Sequence, residues 1–278
     1  MTLMAAIQLC ASQHVDDNLA VAAQLIDEAA KQGAKLIVLP EMFPLIGLQE
    51  TAKLGIKEPF GQGKIQSFLA HQAKLHQIWL VGGTIPIACE TPNKVRAACL
   101  VFNERGELAA RYDKMHLFDV IVSATERHTE SNTVEPGNQI VVVETPFGKL
   151  GLAVCYDVRF PELFRCLFNQ GAEIIALPSA FTARTGAAHW EVLLRSRAIE
   201  NFCYVIGAAQ GGIHDNGRET YGHTQIIHPW GNILAKLPGE ETGVICAPID
   251  LKALHAIRNA IPVDQHQRIF FDTSKLRI

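Results

Sequence analysis

One internal echo limits the possible folds more than any other feature of this chain. Residues 32–43 read QGAKLIVLPEMF and residues 170–181 read QGAEIIALPSAF, with seven of the twelve positions identical. Each copy follows a helix-like segment. Each of those segments follows an apolar strand-like run, Leu3–Leu9 in the first case and Lys149–Val154 in the second. Two buried strands can share a pattern by coincidence, but here the flanking order repeats as well. The chain therefore reads as two related β-α-β halves. A right-handed β-α-β unit places the C-terminal ends of both strands on one edge of a parallel sheet. Ligands of open α/β sheets gather at that edge. Glu41 ends the second strand of the first half, and Cys155 ends the first strand of the second half. Residues far apart in sequence can thus meet at one site.

The rest of the chain keeps the alternation. Asn18–Lys31 carries apolar residues at helical spacing (Leu19, Ala22, Ala23, Ile26, Ala29, Ala30), and Gly33 stands where the helix would stop. Phe68–Leu75 reads as helix, and Leu36–Leu39, Ile78–Ile87 and Arg96–Phe102 read as strands. Strand alternating with helix predicts an α/β layered fold. A chain of 278 residues with 48% hydrophobic content can bury one large core. No linker-like or low-complexity stretch divides it, so residues 1–278 are read as a single domain.

Composition excludes several classes of function. The net charge is −3, the pI is about 6.4, and no basic run appears, so neither nucleic acid nor an anionic membrane is an expected partner. The N-terminal MTLMAAIQLC lacks a basic region and a cleavage site, and it reads as a first strand rather than a signal peptide. The longest uncharged stretches are too short and too rich in Gly and Pro to span a bilayer. Seven scattered cysteines without a CxxC suit reduced, buried thiols and a cytoplasmic location. No HExxH, GxGxxG or GxxxxGK[ST] occurs, so neither a metal nor a nucleotide is expected.

Three residues invite a chemical reading. In GKLGLAVCYDVRFPELF an apolar strand runs into Cys155, Pro161 stands where a helix would begin, and Gly171 stands where it would end. The cysteine falls on a strand-to-helix turn, which exposes a side chain and leaves following N–H groups free for an oxyanion. The other six cysteines read as structural. At neutral pH only about a few per cent of an ordinary thiol is ionised, so a nucleophilic cysteine needs a base or a positive neighbour. No histidine is obviously placed for that. Glu41, directly after the apolar LIVLP, suits moving a proton between thiol and leaving group. Lys114, in RYDKMHLFD, suits stabilising an oxyanion, while a solvated surface lysine is the plain alternative. His116 beside it reads as structural.

Together these segments resemble the nitrilase, or carbon–nitrogen hydrolase, superfamily. The matching stretches are LPEMF around Glu41, YDKMHLFD around Lys114 and GLAVCYDVRFPELF around Cys155. LPSAF, TGAAHWEVLLRSRAIEN and YGHTQIIHPWGNILA match further on, so the likeness covers almost the whole chain. The resemblance implies a Glu-Lys-Cys triad at Glu41, Lys114 and Cys155. It also implies a second active-site glutamate within TESNTVEPGN, aligned at Glu130, with Glu126 and Glu135 as nearby competitors. It implies a four-layer α-β-β-α sandwich, commonly a homodimer or higher homo-oligomer, working without a cofactor. Tyr156 is expected to lend its N–H to the oxyanion, and Phe181 and Thr185 to line the pocket. Arg159 is expected to bind a substrate carboxylate or to pair with Asp157 or Glu162. Arg195 and Arg197 read as structural.

Within the superfamily the likeness is to the Nit branch. That implies amidase action on a small ω-amide of an α-keto acid, with deaminated glutathione preferred. An omega-amidase acting on α-ketoglutaramate, or a non-catalytic scaffold on the same fold, are the alternatives. Two departures stand out. The loop LPEMFPLIGLQE after Glu41 does not follow the expected pattern, and His228 stands where Asp or Asn is expected in a turn.

Overall fold

A computed structural model gives the fold and describes residues 1–124 and 126–271. Two mixed sheets stack face to face between two layers of helices. The first sheet runs Gly243–Ile249, Thr2–Gln8, Leu36–Val38, Trp79–Val81, Val95–Phe102, Ile85–Ala88, with Leu108–Asp113 also paired to Val95–Phe102. The second runs Ile233–Lys236, Gln225–Ile227, Tyr204–Ala209, Ile174–Ser179, Gly148–Leu152, Val142–Thr145. Three parallel strands form the centre of each sheet, and antiparallel strands flank them.

The echo in the sequence is an echo in register. Met4 pairs with Leu36 and Leu36 with Trp79; Leu150 pairs with Ile174 and Ile174 with Tyr204. Leu36 and Ile174 occupy the same place in the two repeats. Each parallel crossing carries a helix: Val15–Lys31 and Lys64–His76 in the first half, Pro161–Asn169 and Ala183–Asn201 in the second.

The period of two along a strand divides the core. Met4, Ala6, Leu36 and Val38 join one buried cluster with residues of the second sheet, such as Ile175, Leu177 and Ile206. Their neighbours Ala5, Ile7, Ile37 and Leu39 pack instead on Leu19, Ala22, Ile26, Leu69 and Ala73 of the covering helices. Strands buried on both faces must be apolar at every position, which explains the unbroken runs seen in the sequence.

Among the boundaries that differ from the sequence expectation, two have a plain physical cause. The first helix begins at Val15, so Asp16 and Asp17 fall in its first turn, where the helix dipole favours negative charge. The run Ile78–Ile87 is two strands, Trp79–Val81 and Ile85–Ala88. Gly83, at φ +55°, breaks it, and a Cβ there would lie 2.0 Å from the Pro40 carbonyl oxygen. Only glycine lets this bend pass beside the turn that carries Glu41.

Candidate active site

Strand Gly148–Leu152 delivers Val154 and then Cys155, which opens a 3-10 turn over Cys155–Arg159. The cysteine has φ +46°, a left-handed conformation that a non-glycine residue holds only when its surroundings enforce it. Asp157 does much of the enforcing. Its fully buried carboxylate accepts from Val154 N at 2.7 Å, Tyr112 Oη at 2.7 Å and His116 N at 3.1 Å, and it lies 2.7 Å from His116 Nδ1. The His116 ring stacks on Phe160 at 3.7 Å. One carboxylate thereby ties the cysteine turn to the segment that carries Lys114. Arg197 braces the same turn from the long helix, donating from Nε to the Val158 carbonyl at 2.9 Å.

Glu41 leaves the first sheet just beyond Leu36–Val38. The next residue, Met42, has φ +57°, and its N–H is held by Thr84 Oγ1 at 2.9 Å. The Glu41 carbonyl accepts from Gln210 Nε2 at 3.0 Å, while Gln210 Oε1 accepts from Ala11 N at 3.0 Å. Gln210 also bridges to Leu9, so the exits of the two sheets are stitched together beside the site.

Lys114 follows strand Leu108–Asp113 and points into the interior. Its Nζ donates to Glu41 Oε1 at 2.8 Å and to Glu130 Oε2 and Oε1 at 2.8 and 3.0 Å. The side chain is 2% exposed, against 4% for Glu41 and 15% for Glu130. Such burial leaves little solvent screening of the pairs. Glu130 Oε2 also accepts from Phe118 N at 2.7 Å.

These groups set each other's protonation. Burial alone would push the Glu130 carboxyl up, but the Lys114 charge and hydrogen bonds hold it below the ordinary carboxylate range. Burial opposes the Lys114 charge, yet Glu130, Glu41 and then Cys155 keep the ammonium well above its usual range. Burial drives the Cys155 thiol well above its usual range, and the Glu41 charge adds to it. Lys114 and the Ala180 N–H pull the other way without reversing the direction. These influences favour the protonated thiol over the thiolate at this sulfur.

Glu41, Lys114, Glu130 and Cys155 all line one pocket. Tyr156, Phe181 and Thr185 stand in its wall. Among the described residues nothing accepts the Tyr156 N–H. Of the competing glutamates, Glu126 lies 3.0 Å from His128 and Glu135 pairs with Arg96, so Glu130 is the one on Lys114. Arg159 lies against two of these wall residues. Its guanidinium lies over the Tyr156 and Phe181 rings at 5.9 and 5.4 Å and near His189 Nδ1, and pairs with neither Asp157 nor Glu162 among the described residues. Arg195 donates to Gly231 O at 2.9 Å, away from the site.

Sequence reasoning missed several residues of the wall, among them Phe118, His128, Lys53 and Arg218, and the clamp made by Asp157. One signal did exist: Lys53 follows closely on the atypical loop after Glu41, whose last residue, Glu50, also lines the pocket. All seven cysteines are free. Among the described residues no group of three or more His, Cys, Asp or Glu is placed to hold a metal ion, and no helix is long and apolar enough to cross a membrane.

A family model described as carbon–nitrogen hydrolase matches residues 3–259. A deaminated glutathione amidase of Yersinia enterocolitica is 41% identical over 95% of this chain and 92% of its own length. One from Synechocystis sp. is 44% identical over 96% of this chain and 98% of its own. The crystal structure of the C. elegans NitFhit protein superposes with a TM-score of 0.87 at 35% identity, covering 96% of this chain and 65% of that longer one. The match in sequence along nearly its whole length, on the same sandwich, makes this chain a member of the carbon–nitrogen hydrolase family.

Proposed function

We propose that this chain is an amidase that hydrolyses a small ω-amide of an α-keto acid through a cysteine thioester, with deaminated glutathione as its preferred substrate. The observation that carries the chemistry is the buried Lys114 ammonium, held between two carboxylates in the pocket that contains the Cys155 sulfur. The substrate follows from the amidases this chain resembles over nearly its full length.

Glu41 takes the thiol proton as the sulfur bonds to the amide carbonyl carbon. The carbonyl oxygen becomes an oxyanion, met by Lys114 and the Tyr156 N–H. The oxyanion collapses, the C–N bond breaks, and Glu41 returns the proton to the departing amine. A water then gives a proton to Glu41 and attacks the thioester. The C–S bond breaks, the acid leaves, and the sulfur recovers its proton. Glu130 holds Lys114 charged and in place throughout.

The two halves share one core and act as a single domain. Free thiols support a cytoplasmic setting. Exposed Val192, Ile199 and Trp230 around the long helix support a homodimer, measurable by light scattering. The net charge of −3 gives no reason to invoke nucleic acid.

The test is a turnover panel of deaminated glutathione, α-ketoglutaramate and simple nitriles, reading release of α-ketoglutarate from the first two and of ammonia from the nitriles. Deaminated glutathione is expected to give the highest kcat/KM. Cys155→Ala and Glu41→Gln are each expected to abolish turnover. Activity retained by either variant, or a nitrile as the best substrate, would overturn the assignment.

A further inference from the structure

Four basic side chains line the pocket: Lys53, Lys114, His128 and Arg218. Three have a carboxylate partner within the protein. Lys114 holds Glu41 and Glu130, Lys53 lies 3.2 Å from Glu50, and His128 lies 3.0 Å from Glu126. Arg218 has none among the described residues. Glu50 feels its charge, but the Glu50 contact is spent on Lys53.

Arg218 is also under-bonded. It stands in the turn of the hairpin formed by Gly211–Ile213 and Glu219–Tyr221. A guanidinium carries five N–H donors. Among the described residues this one makes a single hydrogen bond, from Nη2 to the Ala180 carbonyl at 2.6 Å, and its buried Nε has no acceptor. The tether fixes its position. Ala180 is the residue whose own N–H faces the Cys155 sulfur, so the guanidinium is anchored to the same residue that contacts the nucleophile.

We propose that Arg218 is the specificity-determining residue of this pocket and binds the carboxylate of the substrate, so that amides whose acyl chain ends in a carboxylate are selected over neutral amides. The inference rests on the amidase reading for its substrate. A guanidinium pairs with a carboxylate through parallel N–H···O bonds that an ammonium cannot reproduce. Its tether to Ala180, whose N–H faces the sulfur, suits a short acyl chain with the amide at one end and the carboxylate at the other.

The experiment compares α-ketoglutaramate with valeramide, a neutral amide of the same carbon count, in wild type, Arg218→Lys, Arg218→Gln and Arg218→Met. The ratio of the two kcat/KM values is expected to fall by about 10- to 100-fold in the Gln and Met variants, carried by KM for the charged amide, and by less in the Lys variant. A ratio within about threefold of wild type in a variant with wild-type melting behaviour overturns the proposal. A second readout needs no turnover: protection of Cys155 from iodoacetamide by α-ketoglutarate, followed on the Cys155 peptide by mass spectrometry. Protection that needs about 10-fold or more α-ketoglutarate in the Met variant supports the role of Arg218 even if no amide is turned over, and equal protection refutes it. Absence of wild-type turnover on every amide defeats the amidase reading instead.

Discussion

Replacing Lys114 by Met tests the charge arrangement at the centre of the site. Methionine keeps most of the side chain's length and apolar stem but removes the ammonium. Glu41 and Glu130, 4% and 15% exposed, are then left facing each other without a counter-charge. Removing one partner of a buried ion pair typically costs about 3–5 kcal/mol, because the remaining charge stays desolvated. In a protein of this size that is a fall of roughly 10 °C in melting temperature. The oxyanion also loses a donor, and turnover is expected to fall by about 100- to 1000-fold. The second variant, Lys114→Met with Glu130→Gln, separates the two effects. Neutralising Glu130 removes one of the stranded charges, so about 1–3 kcal/mol of stability should return while activity stays low. Melting by calorimetry together with steady-state rates measures both. A single variant that melts within about 2 °C of wild type would show that the ion pairs contribute little. A double variant less stable than the single one would show that like-charge repulsion is not the cause.

Two further outcomes follow from geometry and burial. Gly83→Ala must displace the Pro40 carbonyl, because its Cβ would come within 2.0 Å of that oxygen at φ +55°. It is expected to destabilise the fold by about 1–3 kcal/mol and to lower kcat as Glu41 shifts, which urea titration and turnover would reveal; unchanged kcat would refute the link to Glu41. Alkaline pH should destabilise the fold. Burial holds the Cys155 and Tyr112 groups well above their ordinary ranges and pushes the Cys203 thiol to about 12, so they stay protonated in the fold and ionise in the unfolded chain. The folded state then binds more protons, and stability falls as pH rises through about 8.5–10 and continues falling up to the raised folded-state values. Urea midpoints at pH 8 and pH 10 should differ, and less so in Cys203→Ala; a flat profile would contradict the burial argument.

Glu41, Lys114 and Cys155 were legible because each is embedded in a distinctive local context. The alternation of apolar strands and amphipathic helices gave the layers, and the repeated QGA…LP segment gave the pairing of halves. What stayed hidden depends on long-range packing. Asp157 looks in sequence like a partner for Arg159, yet the fold turns its carboxylate inward to Tyr112, His116 and Val154. Arg218 lies in an exposed-looking hairpin, IHDNGRETYG, and no local pattern announces that the hairpin folds back over Ala180. The break at Gly82–Gly83 was missed because its cause, the close passage of Pro40, comes from a segment some forty residues away.

The matched register of the two halves has a consequence for how activity can be divided. Where the first half carries Glu41 the second carries Ser179, and the strand end that holds Cys155 corresponds to Leu9. Each repeat therefore owns one member of the proposed proton-transfer pair and lacks the other. Had the chain's ancestor been a single repeat, two copies of it would have been needed to assemble one reaction centre. Severed fragments of the present chain should each be inert and recover turnover only on re-association.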